Sequence, residues 1–513
     1  MKLFACLIFA FSSGALTVLG WAPFEYWPLA VAGFAGLYWL ISNGRTALQS
    51  AWIGFAFGVG LHAVGQDWIF SSLHSKAGLP SIPASLITIF FVIYLALFSA
   101  LPCMLWHAIF KHHADNDKIL ASKLPGEISA VLGFAALLSL GEWARSLLFL
   151  NGFTSLSFGY SLIDTWLAGY APVAGLYGLS AIGFCISGLL ANLSPINRTS
   201  KAPFLVLICV IAGAGLAVNQ VPWVQTSGIP LSYRLIQPNI VQNHKFNSAY
   251  VNRQVQQLVE IIEQKSASII VTPETAFAIR LSELPAQFMQ SLQQFSKQTG
   301  SHVFLGIISL STNSDGYNSL VQITPDQADI PQYNKVWLMP FGEYSPSGFR
   351  WLSDSLNIPF KDMSAGSIDQ APFTVGPQHI GTLICHEDGS GQELRHWLPG
   401  ASILLNPSNL AWFDDSFFID QNLQMVRMRA LESGRPILRT TNTGITAHID
   451  HHGNVIRSLA KQEQGVLVGM VQPIHGMTPY SRWGNWLSVL GNTVYLAFTT
   501  VLIYRKYRQR VGE

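Results

Sequence analysis

His379-Ile-Gly-Thr-Leu-Ile-Cys385-His-Glu-Asp388 is an apolar run that stops at a cysteine and turns polar at the next residue. An inert buried cysteine more often continues its apolar run than ends it. The stretch therefore reads as a buried strand that delivers Cys385 to a loop, where an open α/β sheet presents its chemistry. Two other stretches have the same form. In Ser268-Ile-Ile-Val-Thr-Pro-Glu274-Thr275 the apolar residues end at Val271, and Pro273 stiffens the turn that carries Glu274. In Tyr333-Asn-Lys335-Val-Trp-Leu-Met-Pro-Phe-Gly-Glu343-Tyr344 a lysine stands among aromatic and apolar side chains, with a glutamate after a Phe-Gly turn. Taken singly, Glu274 equally suits a carboxylate at a helix start and Lys335 a solvated surface charge.

Working outward, short β-branched runs alternate with helix-like stretches throughout the polar segment. Strands are predicted over Tyr233 to Gln237, Ser268 to Thr272, His302 to Ile308, His379 to Ile384, Ser402 to Asn406, Ile437 to Thr441 and Val466 to Val471. Helices are predicted over 248–265, 284–299 and 416–432. Such alternation implies an α/β sandwich with buried strands and functional loops at their ends.

The flanking sequence is of another kind. Half of the 513 residues are hydrophobic and only 11% are charged, a composition that places much of the chain against lipid. A membrane-spanning helix takes roughly 20 mostly apolar residues. Seven such stretches fall near 3–20, 27–43, 50–72, 84–110, 127–150, 166–193 and 203–220, and an eighth near 484–504. The first is read as a retained helix, because Trp21-Ala22-Pro23 offers no small-x-small cleavage site. Lys2, Arg45, Lys111, Lys118, Lys123, Arg198, Lys201, Arg505, Lys506, Arg508 and Arg510 all fall on one side of an eight-helix arrangement, against Lys76 on the other. The positive-inside rule then puts both termini in the cytoplasm and the polar segment outside it. The expected organisation is a helical membrane domain over 1–220, an extracytoplasmic catalytic domain over 221–483, and a last helix with a basic tail over 484–513.

A net charge of +2 with no basic stripe outside the tail argues against a nucleic-acid partner. The five cysteines form no CxxC pair and no spacing suited to a metal or a disulfide framework, so neither metal nor cofactor is expected. The three loop residues share one chemical logic. A thiol is mostly protonated at neutral pH; a glutamate can take its proton, and a lysine can stabilise thiolate and tetrahedral oxyanion, with the His386 N–H as a second donor.

In combination and order these stretches resemble the apolipoprotein N-acyltransferases, membrane-bound members of the nitrilase (carbon–nitrogen hydrolase) superfamily. Besides the three stretches above, the resemblance rests on Tyr317-Asn318-Ser319, Asn406 to Phe413, Arg429-Ala430-Leu431-Glu432, Arg435-Pro436 and Thr441-Asn442-Thr443-Gly444. In the membrane part it rests on Trp27-Pro28-Leu29, Glu142-Trp143 and Phe158-Gly159-Tyr160. It implies a bundle of about eight transmembrane helices joined to an αββα sandwich, with Glu274, Lys335 and Cys385 as a catalytic triad. It also implies a bacterial inner-membrane location with the catalytic domain on the periplasmic side. The acyl chain of a phospholipid would pass, as a thioester on Cys385, to the N-terminal amine of a diacylglyceryl-cysteine apolipoprotein.

The resemblance further gives Glu343 a share in setting the site's charge and Glu387 the positioning of the nucleophile loop, with Tyr344, Asn409 and Trp412 around the substrate. This chain departs from the family at His386 (usually tyrosine), Phe246 (commonly tryptophan) and Phe153-Thr154-Ser155 (Phe-Pro-Trp). His386 is either a titratable neighbour of the nucleophile or a ring that replaces the tyrosine's packing. Other readings of the chain are a membrane-tethered amidase using the same triad with water as acceptor, a divergent acyltransferase paralogue with a different acceptor, and a transporter or lipoprotein-binding protein without catalysis.

Overall fold

The computed structural model describes residues 3–111, 124–148, 153–193, 201–311, 316–326, 329–348, 350–354, 362–389, 391, 399–413 and 415–511. Lys2, Lys118, Lys123 and Arg198, four of the residues used to orient the chain, lie outside them, as do residues 149–150 of the fifth expected helix.

Apolar helices α1 (Leu3–Thr17), α2 (Trp27–Ser42), α3 (Ala47–Gly65), α4 (Ser81–Trp106), α5 (Leu124–Leu147), α6 (Ala171–Asn192) and α7 (Ala202–Asn219) come before the polar segment. Among the described residues, seven helices are long and apolar enough to cross a membrane, six of them in this half and the seventh over Trp486–Arg505. α2 completes the eight expected helices as a shorter apolar one: Pro28 in its first turn fixes where it begins, and it runs for 16 residues against the roughly 20 of a full span. The third expected span also stops early: α3 ends at Gly65, and a short helix Trp68–Ser71 and a π-helical turn Ser72–Lys76 follow. The stretch from Trp166 is broken at Gly175, whose φ of +66 favours glycine and where a Cβ would come 2.2 Å from the Tyr480 ring.

The polar segment folds as two large stacked sheets and a separate antiparallel pair of short strands, Val224–Thr226 with Ile474–Gly476. The first contains β1 (Leu231–Gln237), β2 (Ile269–Val271), β3 (Phe277–Arg280), β4 (His302–Ser309), β5 (Tyr317–Ile323) and β6 (Gln332–Asn334). The second contains β7 (Phe373–Val375), β8 (Gln378–Thr382), β9 (Ala401–Ser408), β10 (Ile437–Thr441), β11 (Ala447–Ile449) and β12 (Val455–Ser458). The next strand, β13 (Gly465–Val471), returns to the first sheet beside β1, giving the order β13-β1-β2-β4-β5-β6 with β3 paired to β4; the second runs β12-β11-β10-β9-β8-β7. Their central strands are parallel, β1 to β2 to β4 and β8 to β9 to β10. β4 and β9 are buried almost end to end, which is why Val303–Ile308 and Ile403–Leu405 read as unbroken apolar runs.

Tyr233, Leu235, Val271 and Phe304 of the first sheet meet Ile380, Leu404 and Ile437 of the second in one core. The outer face of the first sheet, with Ile236, Ile270 and Val303, is covered by α8 (Ser248–Glu263) and α9 (Ala286–Thr299). Helix α10 (Phe418–Ser433) gives Val426 and Ala430 to the sandwich core and Met425, Met428 and Leu431 to the core of the membrane helices. At its C-terminal end, Glu432 Oε1 accepts from the Leu176 N–H at 2.7 Å, just past the Gly175 break, and Glu432 Oε2 pairs with Arg429 at 2.8 Å. The membrane helices and the sandwich thus share one packed boundary. The last helix, α11, runs over Trp486–Val511.

Candidate active site

Three chain turns converge at one end of the sandwich, and each holds a residue other than glycine in the left-handed region: Thr275 (φ +45), Phe341 (φ +63) and Cys385 itself (φ +48). Side chains pay about 1–3 kcal/mol for such backbone, so the surrounding packing fixes these turns. β8 ends at Thr382, and Cys385–Gly389 forms a single 3₁₀ turn at its end. β2 ends at Val271 and hands the chain to Glu274, whose turn rests on Gly306 of β4. A Cβ at Gly306 would stand 1.9 Å from the Pro273 carbonyl oxygen. Gly306→Ala is therefore expected to lose about 1–3 kcal/mol of stability by overpacking and to displace the Glu274 turn. Thermal unfolding in detergent checks this; an unchanged midpoint would contradict the packing.

Lys335 is 1% exposed and its Nζ lies 3.0 Å from Glu274 Oε1 and 2.8 Å from Glu343 Oε2. Asn318, projecting from β5, donates through Nδ2 to the same two carboxylates, at 2.7 Å to Glu274 and 2.6 Å to Glu343. The Asn409 N–H donates to the other Glu274 oxygen at 2.8 Å, and the Met339 N–H to Glu343 Oε2 at 2.7 Å. Burial raises the Glu274 carboxyl, but Lys335, Lys245 and Asn318 outweigh it and hold the group below the usual carboxylate range. Burial lowers Lys335, yet Glu274 and Glu343 carry it well above the ordinary ammonium range, so it stays charged. The Cys385 thiol is pushed well up by burial and by Glu274, with Lys335 opposing. At rest the arrangement is a carboxylate, an ammonium and a thiol, with the carboxylate able to accept a proton the thiol gives up.

Glu387 lies behind the pocket, fully buried. Its Oε1 accepts from Tyr333 Oη at 2.8 Å and the Val336 N–H at 2.7 Å; its Oε2 accepts from the Ile384 N–H at 2.6 Å. One side chain thus ties the Lys335 loop to the Cys385 turn. Burial pushes this carboxyl up to about 7, with the Ile384 and Val336 N–H groups pulling it back. Thr154, which stands where the resemblance has proline, donates through Oγ1 to the Gly389 carbonyl at 2.8 Å and so anchors the end of the same turn to the membrane part.

Cys385, Glu274 and Lys335 open into a cavity of about 510 Å³ that Glu343, His386, Asn409, Trp412 and Phe246 also line. The volume is ordinary for a small-molecule site. Its far wall belongs to the membrane helices: Trp68, Ile69 and Leu73 after α3, and Leu86, Ile87, Phe90 and Phe91 of α4. Leu86 and Phe90 are 62% and 60% exposed on the outer surface of α4. Phe413 and Phe418 each pack on Trp68 with ring centroids 5.0 Å apart, closing the seam between the two parts.

Of the residues singled out in the sequence, Tyr344 differs from expectation. It does not line the cavity, because the left-handed Phe341 folds the loop back so that the Tyr344 carbonyl accepts from the Phe341 N–H at 2.9 Å. Two residues at the site were given no role from the sequence. Asn318, quoted there only within Tyr317-Asn318-Ser319, is 2% exposed on a strand, and an amide on a buried strand was the available signal. Lys245, 1% exposed, donates from Nζ to the Glu274 carbonyl at 3.1 Å and Thr275 Oγ1 at 2.7 Å. Nothing in its surroundings in the sequence, His244 before and Phe246 after, distinguishes it from a surface lysine.

Comparison with known proteins agrees with this architecture. The family model described as the apolipoprotein N-acyltransferase N-terminal domain matches residues 13–189, and that of carbon-nitrogen hydrolases matches residues 234–474. The apolipoprotein N-acyltransferase of Ralstonia nicotianae is 36% identical over 92% of this chain and 88% of its own. That of Nitrosomonas europaea is 38% identical over 94% of each. Among solved structures, a carbon-nitrogen hydrolase from Helicobacter pylori G27 aligns with 47% of this chain and 89% of its own, at 13% identity and a TM-score of 0.37. With the identity to its full-length relatives and the two family matches in chain order, this membrane protein belongs to the apolipoprotein N-acyltransferase family.

Proposed function

We propose that this chain moves an acyl chain from a phospholipid to the N-terminal amine of a diacylglyceryl-cysteine lipoprotein, through a thioester on Cys385. Glu274 takes the Cys385 proton as the sulfur attacks the ester carbonyl. The Lys335 ammonium and the His386 N–H receive the oxyanion. Collapse breaks the ester C–O bond, and the proton on Glu274 goes to the departing lysophospholipid oxygen. In the second half the lipoprotein amine attacks the thioester carbonyl, loses a proton to Glu274 and expels the Cys385 thiolate, which recovers that proton. Glu343 keeps Lys335 charged, and Glu387 keeps the two loops in register.

The observation that carries this reading is the composition of the cavity, in which Cys385, Glu274 and Lys335 share one space with Leu86 and Phe90 of a lipid-facing helix. A site for a soluble amide has no use for such a wall. Both substrates are lipids that leave a bilayer reluctantly, since burial is worth about 0.8 kcal/mol per CH₂. In this reading residues 1–220 and 484–513 form the membrane domain and 221–483 the catalytic domain, which faces the periplasm from the inner membrane with both termini cytoplasmic. The test is to supply the purified protein with phospholipid and a diacylglyceryl peptide. Acylated peptide is the expected product; free fatty acid without acylated peptide would make the chain a hydrolase.

A further inference from the structure

Lys335 alone does not balance the carboxylates around Cys385. Glu274 and Glu343 share one ammonium, Lys335, at 3.0 and 2.8 Å. Nearby buried carboxylates have their own partners: Asp388 pairs with Arg439 at 3.3 Å, and Glu432 pairs with Arg429 at 2.8 Å. Glu387 is met by the hydrogen bonds of Tyr333, Val336 and Ile384. Two carboxylates against one lysine leave the pocket one negative charge in excess. In a buried site that excess opposes formation of a thiolate.

Lys245 is the second cation. It closes a short helical turn, Gln242–Lys245, that is itself held at the site because Asn409 Nδ2 donates to Gln242 Oε1 at 3.2 Å. Both oxygens that Lys245 Nζ reaches, the Glu274 carbonyl and Thr275 Oγ1, belong to the turn that presents Glu274, and neither is a carboxylate. Thr275 is the left-handed residue of that turn. The third neighbour is the Phe246 ring, whose centroid lies 5.5 Å from Nζ. A buried lysine that spends its hydrogen bonds on backbone and hydroxyl, instead of an ion pair, keeps its charge for the site as a whole.

We propose that Lys245 is a positioning residue of this site: it clamps the strained Glu274–Thr275 turn and supplies the positive charge that balances Glu343 when Cys385 becomes a thiolate. The inference deepens the proposed function, since it takes Cys385 as the nucleophile. Burial brings the Lys245 ammonium down to about 8, with Glu274 and Cys385 opposing the fall. Its charge is therefore present at neutral pH and is lost as pH rises through about 8. The groups facing it are Glu274, Thr275 and Cys385, with Lys335 paired to Glu274 and to Glu343.

The test uses full-length protein in detergent and follows alkylation of Cys385 by iodoacetamide against pH, with peptide mapping to separate Cys385 from the exposed Cys209. Lys245→Gln retains a donor for the turn and loses the charge; Lys245→Met loses both and guards against a rescue by the amide. Each variant is expected to react about tenfold more slowly than wild type at pH 7, the equivalent of about one pK unit. The gap should narrow above pH 8, where wild-type Lys245 loses its own charge. Wild-type profiles in both variants would overturn the proposal. The readout needs no lipid, so wild type failing to acylate a peptide would sink the proposed function and leave this result standing.

Discussion

Cys385→Ala is expected to lower acylated-peptide formation by at least ~10³-fold, the scale on which removal of a nucleophile acts, while the protein remains folded. The side chain it truncates lines a cavity and has the Asn409 backbone as its hydrogen-bond partner, while the bonds within the turn and at its end belong to Glu387, Thr154 and the backbone. Alanine inherits the left-handed backbone at +48 without adding bulk. Product formation and the thermal unfolding midpoint should therefore separate, the first collapsing and the second holding. A variant that kept a tenth of its activity would show that sulfur is not the attacking atom. One that lost its fold would show that the turn depends on the thiol.

Lys335→Met acts on a different quantity. Removing one partner of a buried pair typically costs about 3–5 kcal/mol, because the remaining charge has lost its compensation. Here two carboxylates lose it at once, since Glu274 and Glu343 both lean on the one ammonium. The variant is expected to be inactive and also markedly less stable than wild type. Adding Glu343→Gln should restore part of the stability and none of the activity, because it removes a stranded charge without returning an oxyanion partner. Unfolding midpoints of the single and double variants measure this. Equal midpoints for wild type and Lys335→Met would mean that the pair is not buried as described.

The sandwich was legible because its central strands are buried on both faces and so carry unbroken apolar runs, such as Val303 to Ile308, which lies within β4 in the structure. Glu274, Lys335 and Cys385 were legible for a related reason: each ends or interrupts such a run with a group that water would normally claim. Lys245 was not, because its burial comes from partners 29 and 30 residues away, and a local window sees only a lysine between a histidine and a phenylalanine. The cavity was not either, since Leu86 and Phe90 carry the period of a lipid-facing helix and nothing in that period says which other surface they border. In the membrane part apolar composition identified α2 as a helix, and Pro28 in its first turn marks where it begins. Tyr344 missed the cavity wall for want of one torsion, the positive φ of Phe341, which no pattern of side chains announces.

The central claim is that Cys385 carries the acyl group between two lipids. Intact-mass analysis of the protein after exposure to a defined phospholipid, and again after addition of a diacylglyceryl peptide, tests it most directly. The expected result is a mass increase equal to one acyl chain, mapped to Cys385 and labile to hydroxylamine, that disappears when the peptide is added and reappears on the peptide amine. Wild-type protein that transfers acyl chains to the peptide with no adduct at Cys385, or whose adduct the peptide fails to discharge, would contradict it.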